Sequence, residues 1–169
     1  FSTKIVWQFL WIDGEPAMNL DARKLIRTSD HYQEGRVDWD KTKELVLKEV
    51  EGARQFWRYD HRTSETDQPK CLITQGFIGH TNTGMTTTLG REGSDFTAAV
   101  LAWALDAEEV LIWKDVPGLL NADPKKFDDT FKIDQISYRE AIELSYFGAS
   151  IIHPKTLKPL QNKRIPLKI

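Results

Sequence analysis

Apolar residues in this chain come in short runs divided by polar loops, and their spacing switches between helix-like and strand-like from one end to the other. Phe1, Ile5, Phe9 and Ile12 share one helical face, widened by Val6, Leu10, Trp7 and Trp11; this predicts a helix over Phe1 to Asp13, ended by Asp13-Gly14. Ala17 to Leu20 predicts a short strand running into Asp21-Ala22-Arg23, and a charged loop follows from Thr28 to Asp38. Val46, Val50, Ala53 and Trp57 recur at steps of four, three and four, so an amphipathic helix is expected from Asp40 to about Trp57. Tyr59 to Lys70 is polar, contains Pro69 and reads as a loop.

The second half repeats the alternation. Cys71 to Gly79 predicts a buried strand that breaks at glycine, and Phe96 to Leu105 a helix apolar on nearly every side, packed between other elements. Val110 to Trp113 is a second buried-strand candidate. Ser137-Tyr138-Arg139-Glu140 has the spacing of a capping box, so a helix should start there and run to Gly148 as its C-cap. Ala149 to Ile152 reads as a short strand. Pro154 stands in the first turn of another helix, and Ile165 to Ile169 is the last strand. Strands alternating with helices argue for a mainly parallel sheet with helices on both faces.

One stretch breaks the pattern. Gly84 to Asp95 reads G-M-T-T-T-L-G-R-E-G-S-D and opens directly into the apolar Phe96–Leu105 run. Ser94 is the natural N-cap of that helix, and open N–H groups at a helix start attract anions. Gly90 and Gly93 allow close backbone approach, and Arg91 offers a planar fork for a carboxylate or phosphate. The spacing fits neither a Walker loop nor a dinucleotide fingerprint, since five residues separate Gly84 from Gly90 and no first G-x-G precedes Gly90. Taken on these residues, a ligand loop and an ordinary capped loop both fit. The same holds for Lys114-Asp115, followed by Val116-Pro117-Gly118 and Asn121-Ala122-Asp123-Pro124-Lys125. A strand end with Lys and Asp suits a nucleotide, and it suits a charged turn equally.

Composition narrows the choice. The 169 residues carry a net charge of −2, which gives no basic footprint for nucleic acid. A single cysteine, Cys71, excludes an internal disulfide framework; it fits a reducing compartment and reads as a buried structural thiol. No apolar run reaches membrane-spanning length. The four histidines, His31, His61, His80 and His153, show no zinc-like spacing, and His153 before Pro154 reads as a helix-start residue. The chain begins without Met inside an amphipathic run and closes on an apparent strand, so it is expected to be a fragment.

Four runs together resemble the aspartate kinases of the amino acid kinase family: TQGFIG (Thr74 to Gly79), TTTLGREGSDFTAA (Thr86 to Ala99), IWKDVPGLLNADP (Ile112 to Pro124) and SYREAIELSYFGASIIHPKTLKP (Ser137 to Pro159). The resemblance covers nearly the whole chain. It implies an α/β fold, a three-layer α/β/α sandwich with a mainly parallel central sheet of the carbamate kinase-like kind, incomplete here. It implies transfer of the ATP γ-phosphoryl group to the side-chain carboxylate of L-aspartate, giving 4-phospho-L-aspartate for lysine, threonine and methionine biosynthesis in the cytoplasm. Mg²⁺ is implied as the companion of ATP, with no separate metal site.

The roles carry over by position. Arg91, Glu92, Gly93 and Ser94 fall on the aspartate-binding run, and Asp95 on the acidic position beside it, taken as catalytic. Lys114, Asp115, Leu120, Lys125 and Ser150 fall on nucleotide-binding positions. Three of these depart from the pattern: Lys114 stands where many relatives have Thr, Leu120 where Tyr is common, and Ser150 where a lysine is common. The family's N-terminal Lys-x-Gly-Gly-Thr-Ser segment and its C-terminal ACT domains, which build homodimers, would lie outside these residues. Two rival readings remain beside this one: another amino acid kinase, acting on glutamate or uridine monophosphate, and a nucleotide-binding remnant without turnover.

Overall fold

The computed structural model describes residues 9–12, 15–61, 71–116, 118–122, 126–146 and 152–169, with the backbone alone for 9–12, 15–16 and 57–61. It divides into two compact units, Phe1–Ser94 and Asp95–Ile169.

In the first unit, β1 (Phe9–Ile12) pairs antiparallel with β2 (Glu15–Leu20), in the register Ile12↔Glu15 to Phe9↔Met18. This corrects the expected first helix: residues 9–12 are a strand, and residues 1–8 lie outside the described part. Aromatic and β-branched side chains fit a pleated surface as well as a helix face, and the intervening Asp13-Gly14 is a strong hairpin dipeptide. On its other edge β2 pairs in parallel with β3 (Cys71–Thr74). Successive side chains of a strand point to opposite faces, and Ala17 and Met18 are both fully buried, so both faces of β2 are covered here. A 3-10 turn, Ala22–Lys24, follows β2, capped by the Asp21 side chain.

Helix α1 (Trp39–His61) begins before the expected Asp40, because the Asp38 carboxylate accepts the Lys41 backbone N–H at 3.0 Å and so caps it. It also runs through Tyr59–His61, which the sequence had assigned to a loop. Val46, Val50 and Ala53 form its buried stripe, as their spacing predicted.

Cys71 to Gly79 is not one buried strand. It divides into β3, half-buried throughout, and β4 (Ile78–His80), with Gln75–Phe77 between them. Cys71 is accordingly half-buried. The break lies at Phe77, whose φ of 75° cannot continue a strand. β4 pairs antiparallel with β5 (Thr86–Thr88), so the middle of the glycine- and threonine-rich stretch is itself a strand. The loop before α1 lines β5, with Gly35 N donating to Thr88 O and Thr88 N to Tyr32 O. Buried Thr28 and Thr87 join hydroxyls at 2.7 Å.

Helix α2 (Gly93–Leu105) starts one residue before its expected cap, so Ser94 lies inside the first turn. The second unit gathers on one cluster: Ala99 and Ala102 of α2, Val110 and Ile112, Leu157 and Leu160, with Ile152 and Ile165. Strand β6 (Val110–Leu111) is shorter and less buried than expected: Leu111 and Trp113 are exposed, while Val110 and Ile112 face the cluster. Such alternation marks a sheet covered by this cluster on one face only. β6 pairs in parallel with β7 (Leu167–Lys168), a shorter strand than Ile165–Ile169, and Ile112 N extends the ladder to Lys168 O.

Helix α3 (Tyr138–Tyr146) opens on the expected capping box. Glu140 N donates to Ser137 Oγ at 3.2 Å, and Ser137 N to Glu140 Oε2 at 3.0 Å. The Ser137 hydroxyl, donating to Glu140 Oε2 at 2.6 Å, and then the Ser137 backbone N–H hold the Glu140 carboxyl below its usual value. The expected C-cap Gly148 and residues 149–151 lie outside the described part; Ile152 is a buried bend and not a strand residue. Helix α4 (Pro154–Lys163) starts where Pro154 predicted, and His153 is a helix-start residue whose Nδ1 accepts the Lys155 N–H at 3.2 Å. At its far end Lys163 caps α2, donating to the Trp103 carbonyl at 2.6 Å and lying over the Trp103 ring. Among the described residues no helix is long and apolar enough to cross a membrane.

Candidate functional site

The aspartate-side candidates close the first unit. Gly90 has φ +72°, turning the chain sharply out of β5, and Arg91 follows in an exposed turn. Glu92 is half-buried at φ 53°, an uncommon conformation for a residue with a side chain. Gly93 is buried, and Ser94 is exposed.

Two residues absent from the sequence-derived site set this geometry. Gly76 and Phe77, between β3 and β4, press on the start of α2. A Cβ on Gly76 would stand 3.1 Å from the Cα, Cβ and Oγ of Ser94. A Cβ on Gly93 would stand 2.5 Å from Phe77 Cδ2, closer than real Cβ atoms come. A side chain at Gly93 would force Phe77 to move, one at Gly76 would crowd Ser94, and Phe77 is held in place by Leu89 N donating to its carbonyl at 2.8 Å. A non-glycine residue at positive φ next to a candidate site is strain that surrounding structure must hold. The readable signal was a glycine two residues after the end of β3, followed by an aromatic residue.

Asp21 and His80 of the same unit are shifted by their surroundings. A hydrogen bond from the Arg23 side chain, 2.8 Å to Oδ2, holds the Asp21 carboxyl below its usual value despite opposing burial. Burial first, and then the Arg27 guanidinium, push the His80 imidazole down. Arg27 Nε donates to His80 Nε2 at 3.1 Å, which makes that nitrogen the acceptor. At the C-terminal ends of β2 and β3, Ala22 N donates to Gln75 Oε1 at 3.0 Å and ties the two strand ends together.

The second unit holds the nucleotide-side candidates. Asp95 lies in the first turn of α2, where the helix dipole favours an acid. Lys114 leaves the end of β6, and its Nζ stands 2.9 Å from Asp95 Oδ2, with side chains 23% and 18% exposed. The structure thus joins two candidates chosen for separate reasons. Asp115 is exposed in the bend that follows. Leu120 is half-buried and bridges to Lys132, and its neighbours are tied by Ile133 N to Leu119 O and Asn121 N to Phe131 O. Lys125 and Ser150 lie outside the described residues. Oxygen donors such as the Asp95 and Asp115 carboxylates suit Mg²⁺ in chemical type.

These elements have close counterparts in known proteins. Residues 4–169 match the amino acid kinase family. The chain belongs to that family. Among its relatives, lysine-sensitive aspartokinase 3 of Escherichia coli (strain K12) is 43% identical over 147 residues, which are 87% of this chain and 30% of that protein. The chloroplastic bifunctional aspartokinase/homoserine dehydrogenase of Daucus carota is 36% identical over 143 residues, 80% of this chain and 15% of that one. The crystal structure of E. coli aspartokinase III in complex with aspartate and ADP matches with a TM-score of 0.73 and 41% identity, covering 89% of this chain and 31% of that one. The α/β class expected from the sequence is borne out by this likeness. The chain spans about a third or less of the length of these relatives.

Proposed function

We propose that these residues form part of the catalytic domain of an aspartate kinase, which moves the γ-phosphoryl group of ATP to the side-chain carboxylate of L-aspartate. The observation that carries this reading is the likeness, at 41% identity and a TM-score of 0.73, to a kinase solved with aspartate and ADP bound. The local chemistry supports it. Phosphoryl transfer depends chiefly on positioning and on neutralising charge. A carboxylate is already a nucleophile at neutral pH, so no general base is needed.

In this reading Arg91 and Ser94 bind aspartate, with Glu92 and Gly93 shaping the turn that presents them. Arg91 supplies a bidentate fork for a carboxylate. Lys114 and Asp115 meet the nucleotide at the end of β6, Leu120 offers it an apolar contact, and Lys125 and Ser150 belong to the same site. Mg²⁺ arrives with ATP and is held by phosphates, water and Asp95; it neutralises charge on the transferring group. Lysine, threonine and methionine biosynthesis, a cytoplasmic setting and a homodimer built by ACT domains belong to the same proposal.

The test is ADP release by the intact protein with MgATP and a panel of aspartate, glutamate and uridine monophosphate. Turnover with aspartate alone is the expected result. Turnover with another acceptor would keep the nucleotide half and overturn the role of the Arg91–Ser94 turn. No turnover at all from a folded protein would leave a nucleotide-binding remnant.

A further inference from the structure

Lys114 and Asp95 stand 2.9 Å apart, each less than a quarter exposed. Removing one partner of such a pair strands the charge of the other away from water. The two partners differ in freedom. The carboxylate is on a short side chain in the first turn of α2. The ammonium is a compact charge with three donors at the end of a flexible four-carbon stem. A phosphate chain reaching Lys114 therefore meets a cation already committed to an anion, and the two anions compete for it. The phosphate chain is multiply charged, and its oxygens accept charge-assisted hydrogen bonds, so it can win that competition.

We propose that Asp95 is a placeholder anion: it holds the Lys114 ammonium in the ligand-free protein, and the phosphate chain of an incoming nucleoside di- or triphosphate takes that ammonium over. The exchange rests on the nucleotide reading above and deepens it. Only an ionic contact is exchanged, and no covalent bond changes. The ammonium is thereby kept near the start of α2, and the carboxylate it leaves would be available to the divalent cation that accompanies ATP.

The discriminating probe is ADP without metal, titrated calorimetrically in the presence of a chelator into the intact protein and its variants. Asp95→Asn should bind metal-free ADP about threefold tighter or more, since the competitor for Lys114 is gone while the side chain keeps its size. Lys114→Met should bind it more weakly, and the double variant should lose the gain. A merely structural role for Asp95 predicts the opposite sign for Asp95→Asn. Unchanged or weaker binding by Asp95→Asn, in a protein whose unaltered form binds MgADP, would overturn the exchange and leave the nucleotide reading intact. An unaltered protein that binds neither ADP nor MgADP would overturn both. In the unaltered protein, the side-chain resonances of Lys114 should shift on adding ADP, a readout independent of any variant's folding; no shift at saturation would overturn the exchange.

Discussion

Gly76 lies directly against Ser94, so that a Cβ on Gly76 would stand 3.1 Å from the serine's Cα, Cβ and Oγ. One of those atoms is backbone, in the first turn of α2, and has little room to yield. Gly76→Ala should therefore displace the start of α2 by a few tenths of an ångström and tilt Ser94. The expected outcome is a raised KM for aspartate in the intact protein, with the KM for ATP less affected. Steady-state kinetics against both substrates checks it, and equal KM values to the unaltered protein would show that the turn gives way freely.

Arg91 is exposed in its turn, so removing its side chain costs the fold little. Arg91→Ala should raise the aspartate KM by about tenfold or more, the scale of losing charge-assisted hydrogen bonds. A thermal melt close to that of the unaltered protein should accompany it. An unchanged aspartate KM at a normal rate would remove Arg91 from the substrate site.

Asp115 follows Lys114 in the bend after β6 and is also exposed. Asp115→Ala should weaken use of ATP by about tenfold while the aspartate KM moves far less, because a charged acceptor for the nucleotide is lost. Equal losses toward both substrates would speak for a general disturbance of the loop.

Tyr138 donates its hydroxyl to the Ile165 carbonyl, joining α3 to the segment before β7. Burial pushes its pKa up to about 12. The raised folded value means that this contribution to stability is whole below the ordinary value of 10 and is lost as pH rises from there through about 12. Of the four tyrosines, Tyr138 should ionise late in an ultraviolet titration of the phenol band. Tyr138→Phe should abolish that late step and lower stability by about 1 kcal/mol, read by denaturant unfolding, because the Ile165 carbonyl loses its donor.

Features carried by neighbours in sequence were legible from the sequence alone. The α1 stripe of Val46, Val50 and Ala53 needs only a helical period. The Ser137–Glu140 capping box and the His153–Pro154 helix start close within one turn, so local residues decide them. The Gly84–Asp95 stretch was recognisable as a sharp entry into an apolar helix for the same reason, and its motifs carried the family.

Tertiary structure decided whatever depended on a distant partner. Phe9–Ile12 has the residues of a helix face and of a strand alike; pairing with Glu15–Leu20 made it a strand. Helical and extended backbones are close in energy for so short an apolar run, and ladder hydrogen bonds along β2 outweigh a few tenths of a kcal/mol of propensity per residue. Gly76 and Phe77 gained their place in the site only by packing on Gly93 and Ser94. Lys114 and Asp95 were each readable as single charged residues at an element's end. Their contact at 2.9 Å exists because β6 and α2 share one apolar cluster, which brings the end of one beside the start of the other.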